Sequence, residues 1–474
     1  MRTFKLGILI LAFLLPVSQS IAQYNTGLSY SNHFKNQASV YQPSLLGQSY
    51  ESGYVSMPYF YAYVGNSSFD LGTLNNNLGT DEERVDRLYE RSLNQLGEQQ
   101  DRHLIGFGMD VQTMFFSYKL GTDDTEWVTF SLGSRDRVSG NFVFSRNFYK
   151  LMRRGNKQFE GETVQLDPLQ FSMMYSREYS LGLARGFDLP FGENFSIRPG
   201  IQGRYIRGFA NLQLEPASIT MHTHDGGRAI DLDMNYTLNT AHPVMPTEDN
   251  FPVPWLIQEG NPLTANSQGR GYGIDAGFTA NLGKYFKFSS AVTDIGEVNF
   301  NKNTSNFSHE GQHTYDGYDV DITRFARGQE NWFEEDFSEE VLRYEETNNS
   351  YKQSLGTKLI LEGEVNLIER ESSTHNEDYT QSNFYVTFIR GFEDQLNATT
   401  RPYYSVGYMH DFWTVFNLSV SYGFGGYNRS MIGSFASLRA GVFRIGAGSN
   451  NINALFDSSS ATGADFSFVL SGGF

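Results

Sequence analysis

The chain has 474 residues and a formal net charge of −17, from 53 acidic and 36 basic side chains. This acidity argues against nucleic-acid binding, because phosphate contacts need clustered lysine and arginine. The chain contains no cysteine, which excludes disulfides, thiolate metal sites and cysteine nucleophiles.

The amino-terminus has the three parts of a secretory signal peptide. Basic residues precede the apolar run Leu6–Val17, and the small-x-small site Ser20-Ile21-Ala22 follows it. We expect cleavage between Ala22 and Gln23. The apolar run is too short to span a bilayer, which takes about 20 residues.

Residues 23–100 predict a hatch-like segment with an entry strand. No periodicity is sustained until Gly53–Val64, which reads as a first extended, aromatic stretch. Asp81–Leu96 has apolar side chains along one side and acids early, which predicts a short amphipathic helix. A helix does not belong in a barrel wall, so we expect this region to plug the lumen or cap its periplasmic mouth.

Residues 101–474 predict a barrel wall, because apolar and polar side chains alternate with period 2. Two runs show this most clearly, Leu359–Leu367 and Phe416–Phe424. The first carries Glu362 and Glu364 on its polar face. Such carboxylates need partners in the interior of a soluble β-sandwich but are stable in an aqueous lumen. The pattern therefore favours a transmembrane barrel over a sandwich.

Alternating runs recur along the chain after a first hairpin, Gln112–Leu120 with Val128–Leu132. The further runs are Gly140–Phe148, Phe171–Phe187, Phe195–Leu214, Ile230–Leu238, Gly271–Leu282, Tyr285–Phe300, His313–Arg324, Thr357–Ile368, Asn383–Arg390, Arg401–Asp411, Thr414–Phe424, Ser430–Leu438 and Arg439–Ile445. We expect an all-β, antiparallel transmembrane barrel of about 14 strands, within roughly 12 to 16. A barrel of that size holds an internal plug or leaves a channel.

The chain ends on the amphipathic strand Phe466–Phe474. An ordinary edge strand is the alternative interpretation, but the signal peptide and the polar faces of the wall strands favour a strand that closes the barrel. The aromatic carboxy-terminus resembles the signal that barrel-assembly machinery recognises. We therefore expect Phe474 to act in outer-membrane assembly.

Asp294 interrupts an otherwise regular strand. The apolar register Phe286, Phe288, Ser290, Val292 would place Asp294 on the lipid face, where a carboxylate is costly. Either the strand ends there, which is the simpler explanation and the one we favour, or a bulge near Gly296 turns the side chain inward. If the wall is kinked at Asp294 and Gly296, the function of the kink would be a lateral opening for apolar cargo.

Five arginines concentrate in two neighbouring predicted strands: Arg177, Arg185, Arg198, Arg204 and Arg207. With Glu178 and other lumen acids they predict an internal salt-bridge ladder. An anion-selective constriction is the alternative, which the acidity of the chain disfavours.

Other groups of residues are weak candidates for metal-binding or catalytic sites. His222, His224 and Asp225 are weak candidates for a metal site, and a polar loop is the simpler interpretation. The acidic segment Gln329–Ser350 has apolar side chains at helical spacing, and it lacks the spacing of a calcium loop. No G-x-S-x-G motif occurs and no catalytic triad can be assigned, so we expect neither an enzyme nor a cofactor.

Several stretches resemble a family of large outer-membrane barrels of unknown function: Ser176–Gly182 (SREYSLG), Gly203–Asn211 (GRYIRGFAN), Gly271–Gly277 (GYGIDAG) and Ser290–Gly296 (SAVTDIG). That family is distantly similar to the FadL-type transporters of hydrophobic substrates. The resemblance implies a barrel in the outer membrane and supplies no binding residues. The FadL-type hatch cannot be matched residue by residue, so its mechanism is only an analogy.

These observations lead to one expected function and one alternative. We expect a monomeric barrel in the Gram-negative outer membrane that passively transports small apolar molecules. Its expected partners are membrane lipid, the assembly machinery and a small hydrophobic ligand. The alternative is a structural or secretion-associated barrel whose long loops bind partner proteins.

Overall fold

The computed structural model describes residues 26–49, 51–70, 102–122, 125–190, 195–226, 229–241, 266–315, 345–371, 378–456 and 461–474. The predicted cleavage site at Ala22 and Gln23 and the predicted helix Asp81–Leu96 lie outside these residues. Most of the acidic Gln329–Ser350 segment also lies outside them, although Glu345–Thr347 within it forms a short strand.

The described residues form twenty strands. In chain order they are β1 Gly53–Asn66, β2 His103–Thr122, β3 Thr125–Phe144, β4 Thr163–Gln165, β5 Leu169–Ala184, β6 Phe187–Asp188, β7 Phe195–Thr223, β8 Ile230–Ala241, β9 Gly269–Leu282, β10 Phe286–Phe300, β11 Thr304–Tyr315, β12 Glu345–Thr347, β13 Tyr351–Ser354, β14 Lys358–Glu371, β15 Asp378–Gly391, β16 Tyr403–Phe412, β17 Phe416–Gly425, β18 Asn428–Ala440, β19 Phe443–Ser449 and β20 Gly463–Gly473.

Fourteen of these strands form a closed antiparallel barrel. Their order around the wall is β1, β2, β3, β5, β7, β9, β10 and then β14 to β20, and β20 pairs with β1. At the closing seam the Gly53 amide donates to the Phe474 carbonyl at 2.7 Å, and the Phe474 amide donates to the Gly53 carbonyl at 2.9 Å. The expected all-β barrel of about 14 strands is confirmed.

The wall has apolar side chains outside and polar ones inside, the reverse of a soluble protein. In β17, Val420 and Phe424 are exposed, whereas Asn417 and Ser419 are buried. The same alternation gives an outward apolar belt that includes Leu132, Leu181, Ile201, Ile274, Val386, Val406, Ile432 and Leu470. Exposed aromatic side chains mark its lower rim: Trp127, Tyr285, Trp413, Phe443 and Phe474. Such a surface suits lipid, so the barrel spans a membrane.

The two mouths of the barrel differ. The mouth that contains Gly53 and Phe474 has short connections, such as residues 283–285 and 413–415. The opposite mouth has longer ones, such as residues 145–168. We call them the short-turn mouth and the long-loop mouth, and we describe the barrel with the short-turn mouth at the bottom. In bacterial barrels, short turns face the periplasm and long loops face outward.

A sheet extends beyond the long-loop mouth. β7 is 29 residues long, and its upper part pairs with β8, which in turn pairs with β11. The predicted wall strand Ile230–Leu238 was therefore wrong, because β8 belongs to this extension. The described part of the predicted wall strand His313–Arg324 lies in β11, which also belongs to the extension, and residues 316–324 lie outside the described residues. β8 and β11 pack on their own apolar core around Phe159, Met221 and Met234.

The helices of the described residues are short. They are α1 Thr26–Tyr30, α2 Lys35–Ala38, α3 Arg146–Arg154 and α4 Asn453–Phe456, with 3-10 turns at Pro43–Leu45 and Asn156–Phe159. α3 begins after Ser145, whose hydroxyl accepts from the Phe148 amide at 3.0 Å. Within the described part of the chain, no helix combines the length and apolar character that a bilayer crossing requires.

Candidate functional site: the plugged lumen and the wall bulge

Residues 26–49, which we call the plug, lie inside the lower half of the barrel. Leu28, Phe34 and Leu46 are buried in one apolar cluster with wall residues such as Tyr54 and Phe435. Helices of four or five residues are not stable alone. Burial of each large apolar side chain supplies about 1.5–3 kcal/mol, so contact with the wall determines the conformation of the plug.

Polar contacts fix the plug to several strands. Tyr30 stacks on Tyr385 of β15 with ring centroids 3.7 Å apart. The Tyr41 hydroxyl donates to Asp110 Oδ2 of β2 at 3.1 Å. Arg198 Nε of β7 donates to the Leu46 carbonyl at 2.7 Å. These contacts reach strands on different sides of the barrel, so the plug crosses the lumen.

His33 of the plug is held as a neutral imidazole. Its Nε2 lies 3.1 Å from the Thr414 carbonyl, which can only accept, so Nε2 carries the hydrogen. Its Nδ1 then accepts from the Ser437 hydroxyl at 2.9 Å. Burial and the positive charge of Arg444 lower the pKa of His33 from 6.5 to about 3. Docking of the plug therefore favours an uncharged His33, although Asp411 Oδ2 lies 3.9 Å from Nε2.

A layer of buried charges crosses the lumen beside the plug. Its four cations and four anions, which we call the charge layer, are Arg135, Arg137, Arg204, Lys358, Asp110, Glu178, Asp275 and Asp294. Arg204 contacts three of the anions, with Nη1 2.8 Å from Glu178 Oε2 and Nη2 2.8 Å from Asp275 Oδ1 and 2.9 Å from Asp294 Oδ1. Each buried charge thus has a partner of opposite sign, which offsets its cost of desolvation.

Asp294 is the centre of this layer. Its carboxylate accepts from Arg137 at 2.9 and 3.2 Å and lies 3.0 Å from Lys358 Nζ. Its backbone amide donates to Asp275 Oδ1 at 2.6 Å. Asp294 is therefore inside the barrel, although the alternation of the strand would place it toward lipid.

A break in the wall turns Asp294 inward, and we call residues 292–296 the wall bulge. The ladder between β9 and β10 shifts register between Val292 and Ile295. Asp294 has φ +58° and Gly296 has φ +145°, backbone conformations that are costly for residues with a side chain. β10 continues to Phe300, so the strand end that we favoured from sequence was wrong.

On the side of β10 away from β9, one strand pairs with β10 below the bulge and a different strand pairs with it above the bulge. Below it, β10 pairs with β14 up to Thr293 opposite Lys358; above it, β10 pairs with β13 from Glu297 opposite Ser354. Between them the Leu355 amide donates to the Gly296 carbonyl at 3.1 Å, and Thr357 Oγ1 donates to the Asp294 carbonyl at 3.0 Å. The wall is closed here by few hydrogen bonds.

An apolar cluster lies in the lumen above the charge layer. This upper apolar cluster consists of Met174, Ile206, Ala241, Val298, Phe300, Leu355 and Leu396, with Tyr351 packed against it. Ile206 lies two residues above Arg204 on β7, and Val298 lies two residues above Gly296 on β10. The boundary between apolar and charged lumen thus coincides with the wall bulge.

The predicted arginine ladder is partly wrong. Arg204 lies in the charge layer, and Arg198 faces inward with its Nη1 2.8 Å from Glu126 Oε2. Arg177 and Arg207 instead face outward, because they alternate with inward residues such as Glu178 and Ile206. The alternation of β7 is unbroken from Phe195 to Gly208, so the opposite parity of Arg204 and Arg207 was visible in the sequence.

The weak metal candidates lie at the far tip of the extension. His222 and His224 have ring centroids 4.9 Å apart, and His224 Nε2 lies 2.9 Å from Asp231 Oδ2. His222 Nδ1 is 2.9 Å from the Thr163 hydroxyl. Among the described residues, no group of three or more His, Asp or Glu side chains has an arrangement that could hold a metal ion. Phe474 lies at the closing seam, with its ring over Gly53.

Sequence reasoning missed most of the charge layer. Asp110, Arg135, Arg137, Asp275 and Lys358 were not singled out. Each falls on the polar face of an alternating strand, and that parity is the signal that could have found them. The sequence placed a plug somewhere within residues 23–100 but did not locate it at residues 26–49, because the buried polar residues of the plug show no periodicity.

The sequence comparison gives a family. Residues 48–450 match the model of a family of unknown function, DUF5723. The chain belongs to this family. No curated protein matches the chain in sequence.

The chain also matches solved structures of outer-membrane proteins at low similarity. The Pseudomonas putida toluene transporter TodX is 7% identical, with TM-score 0.44 and coverage of 96% of this chain and 97% of that chain. A Pseudomonas aeruginosa FadL homologue is 9% identical, with TM-score 0.39 and coverage of 96% and 98%. The monoaromatic hydrocarbon channel CymD is 8% identical, with TM-score 0.40 and coverage of 96% and 98%. The low identities and TM-scores assign no cargo to this barrel.

Proposed function

We propose that this protein is an outer-membrane channel that passes small apolar molecules from the long-loop mouth sideways through the wall. One observation carries the proposal. The apolar part of the lumen ends at a layer of eight charged side chains, at the level where the wall ladder of β10 is broken. An apolar solute has no favourable path through buried charges, so the wall bulge is its route of lowest cost.

The plug occupies the lower lumen. Between plug and wall, the cavities beside Lys35 and beside Tyr41 each have room for about one water molecule. The plug therefore obstructs the path of a larger solute down the lumen. Opening at the bulge requires separation of β10 from the residues at 355–357, which few hydrogen bonds oppose.

A reversible cross-link tests this route. The chain has no cysteine, so a Glu297→Cys, Ser354→Cys variant contains one defined pair on facing strands directly above the bulge. Uptake of a labelled small aromatic hydrocarbon into proteoliposomes is measured with the pair oxidised and then reduced. We expect the oxidised protein to fall to the rate of protein-free vesicles and the reduced protein to recover.

The matched control places the same cross-link far from the bulge. Val420→Cys with Ser434→Cys joins paired residues of β17 and β18. Its oxidation is expected to leave uptake unchanged. If the oxidised Glu297→Cys, Ser354→Cys variant takes up the hydrocarbon at the wild-type rate, cargo does not leave at the bulge.

The extension supports the alternative of a barrel that binds a partner protein. β7, β8 and β11 project beyond the wall with their own apolar core, although the closed barrel does not need them. If the protein is such a partner-binding barrel, removal of the extension would abolish partner binding, and the wild-type protein would not take up the labelled hydrocarbon.

A further inference from the structure

A row of cations crosses the outer face of the wall toward the long-loop mouth. Arg177 of β5 is the direct cross-strand partner of Arg207 of β7, which is the partner of Arg270 of β9. The row continues through Asn299 of β10 to Lys352 of β13. We call Arg177, Arg207, Arg270 and Lys352 the cation row.

The alternation of each strand shows that this row faces outward. Arg270 is exposed and alternates with the inward-facing residues Gly269 and Gly271. Arg207 alternates with Ile206, which is buried in the lumen. The side chain of Lys352 is 63% exposed. The cation row is thus separate from the charge layer, which lies on the other face of the same strands.

The row has a defined depth relative to the membrane. Tyr179, Tyr205 and Tyr272 form the cross-strand row two residues nearer the apolar belt. Tyr272 is 72% exposed, and the rings of Tyr205 and Tyr272 lie 5.7 Å apart. Outward tyrosines mark the level of the lipid headgroups. Two residues of strand add about 7 Å, which places the cations among the headgroups of the outer leaflet.

The two flanking cations of the row are paired with carboxylates, and Arg177 is only 7% exposed. Arg177 Nε lies 2.9 Å from Asp136 Oδ1, and Lys352 pairs with Glu297. Arg207 lies over the Phe209 ring, with 5.4 Å from its guanidinium carbon to the ring centroid. Among the described residues, no carboxylate lies within salt-bridge distance of Arg270.

Like charges directly opposite in a sheet are destabilising. Arg207 and Arg270 face each other in this way, in a chain of net charge −17. An external anion would offset that repulsion. Guanidinium groups bind phosphate oxygens in a bidentate manner, and lipid phosphates lie at this depth.

We propose that the cation row binds the phosphate groups of an outer-leaflet glycolipid. Arg207 and Arg270 supply the central contacts, while Arg177 and Lys352 flank them. The acyl chains then lie over the tyrosine row and over Ile295, which is exposed at the wall bulge. This site depends on the orientation of the barrel and not on what the channel carries.

Binding to a phosphorylated lipid tests the site. The full protein in detergent is titrated with diphosphorylated lipid A, and the affinity is compared with that of an Arg207→Gln, Arg270→Gln variant. We expect the variant to bind roughly ten- to thirty-fold more weakly, the loss expected for two cations at a membrane surface. Dephosphorylated lipid A is expected to bind the wild type as weakly as the variant binds the phosphorylated lipid.

A matched control removes two exposed cations near the short-turn mouth, Arg185→Gln with Lys284→Gln. It changes the net charge equally and is expected to keep wild-type affinity. Both variants are checked for heat-modifiable mobility, which reports a closed barrel. An equal loss in the control, equal binding of dephosphorylated lipid A, or full competition by inorganic phosphate would each overturn the proposal.

Discussion

The two halves of the lumen wall are closed in different ways. From β2 to β14 the inward positions carry the charge layer, whose ion pairs join one strand to another. From β15 to β20 the inward positions are mainly small and neutral, as in Ser419, Ser421 and Gly446. The plug lies close against these small side chains, and a Cβ atom on Gly27 would clash with Phe435 Cβ. In the charged half, ion pairs between wall strands add to the contacts of the plug, such as that of Arg198 with Leu46. In the other half, small side chains leave the space that the plug occupies.

Deletion of the plug, residues 26–49, should have the largest effect. The charged half should stay closed while the small-residue half opens, so the deletion variant should show a steady ion conductance in planar bilayers. The deletion must end before Gly53, because β1 is a wall strand that closes the barrel. A folded deletion variant without conductance would show that the wall alone closes both halves.

Loss of one buried cation should destabilise the charged half. Arg204→Met leaves Glu178, Asp275 and Asp294 with too little positive charge, and breaking a buried ion network typically costs about 3–5 kcal/mol. The free energy of unfolding is measured by urea titration in lipid vesicles. Ser421→Ala in the other half is the control, with an expected loss of about 1 kcal/mol. Equal losses would contradict the division into two halves.

A side chain added at the closest contact of the plug should have an intermediate effect. Gly27→Leu overpacks α1 against Phe435, which costs about 1–3 kcal/mol and should give intermittent conductance. Gly203→Leu is the matched control, because nothing lies within 4 Å of a Cβ atom on this outward glycine. The same conductance in both variants would argue against close packing of the plug.

Acid should weaken plug docking more gently. Above pH 6.5 His33 is neutral whether the plug is docked or free. As pH falls below 6.5, His33 of the free plug binds a proton that docked His33 does not bind until about pH 3. The free energy of docking therefore becomes less favourable by about 1.4 kcal/mol per pH unit. Conductance recorded from pH 7 to pH 5 should therefore rise. The rise should be absent in His33→Gln; a wild-type response equal to that of His33→Gln would refute this role.

The sequence was sufficient for the wall but not for the lumen. Period-2 alternation in Phe416–Phe424 and Phe466–Phe474 predicted strands that the structure has, because lipid on one side and polar surroundings on the other impose that pattern. The interruption at Asp294 was visible as a break in the alternation. Its partners were not, because Arg137, Arg204 and Lys358 lie on distant strands and only closure of the barrel brings them together.

The plug illustrates a second limit. α1 and α2 are too short for a helical period, and Asn36 and Gln37 are buried against polar lumen side chains that sequence cannot assign. For β8 and β11, alternation was read correctly as strand but wrongly as wall. A sheet with one apolar face has the same period whether that face meets lipid or a separate protein core.

The most direct measurement combines apolar uptake and ion conductance on one preparation of the wild-type protein. The account predicts uptake of a small aromatic hydrocarbon without steady conductance, because the plug and the charge layer close the lumen while the wall bulge opens sideways. The plug-deleted protein provides the positive control for conductance. Uptake accompanied by wild-type conductance would mean a water-filled pore and would contradict the lateral route.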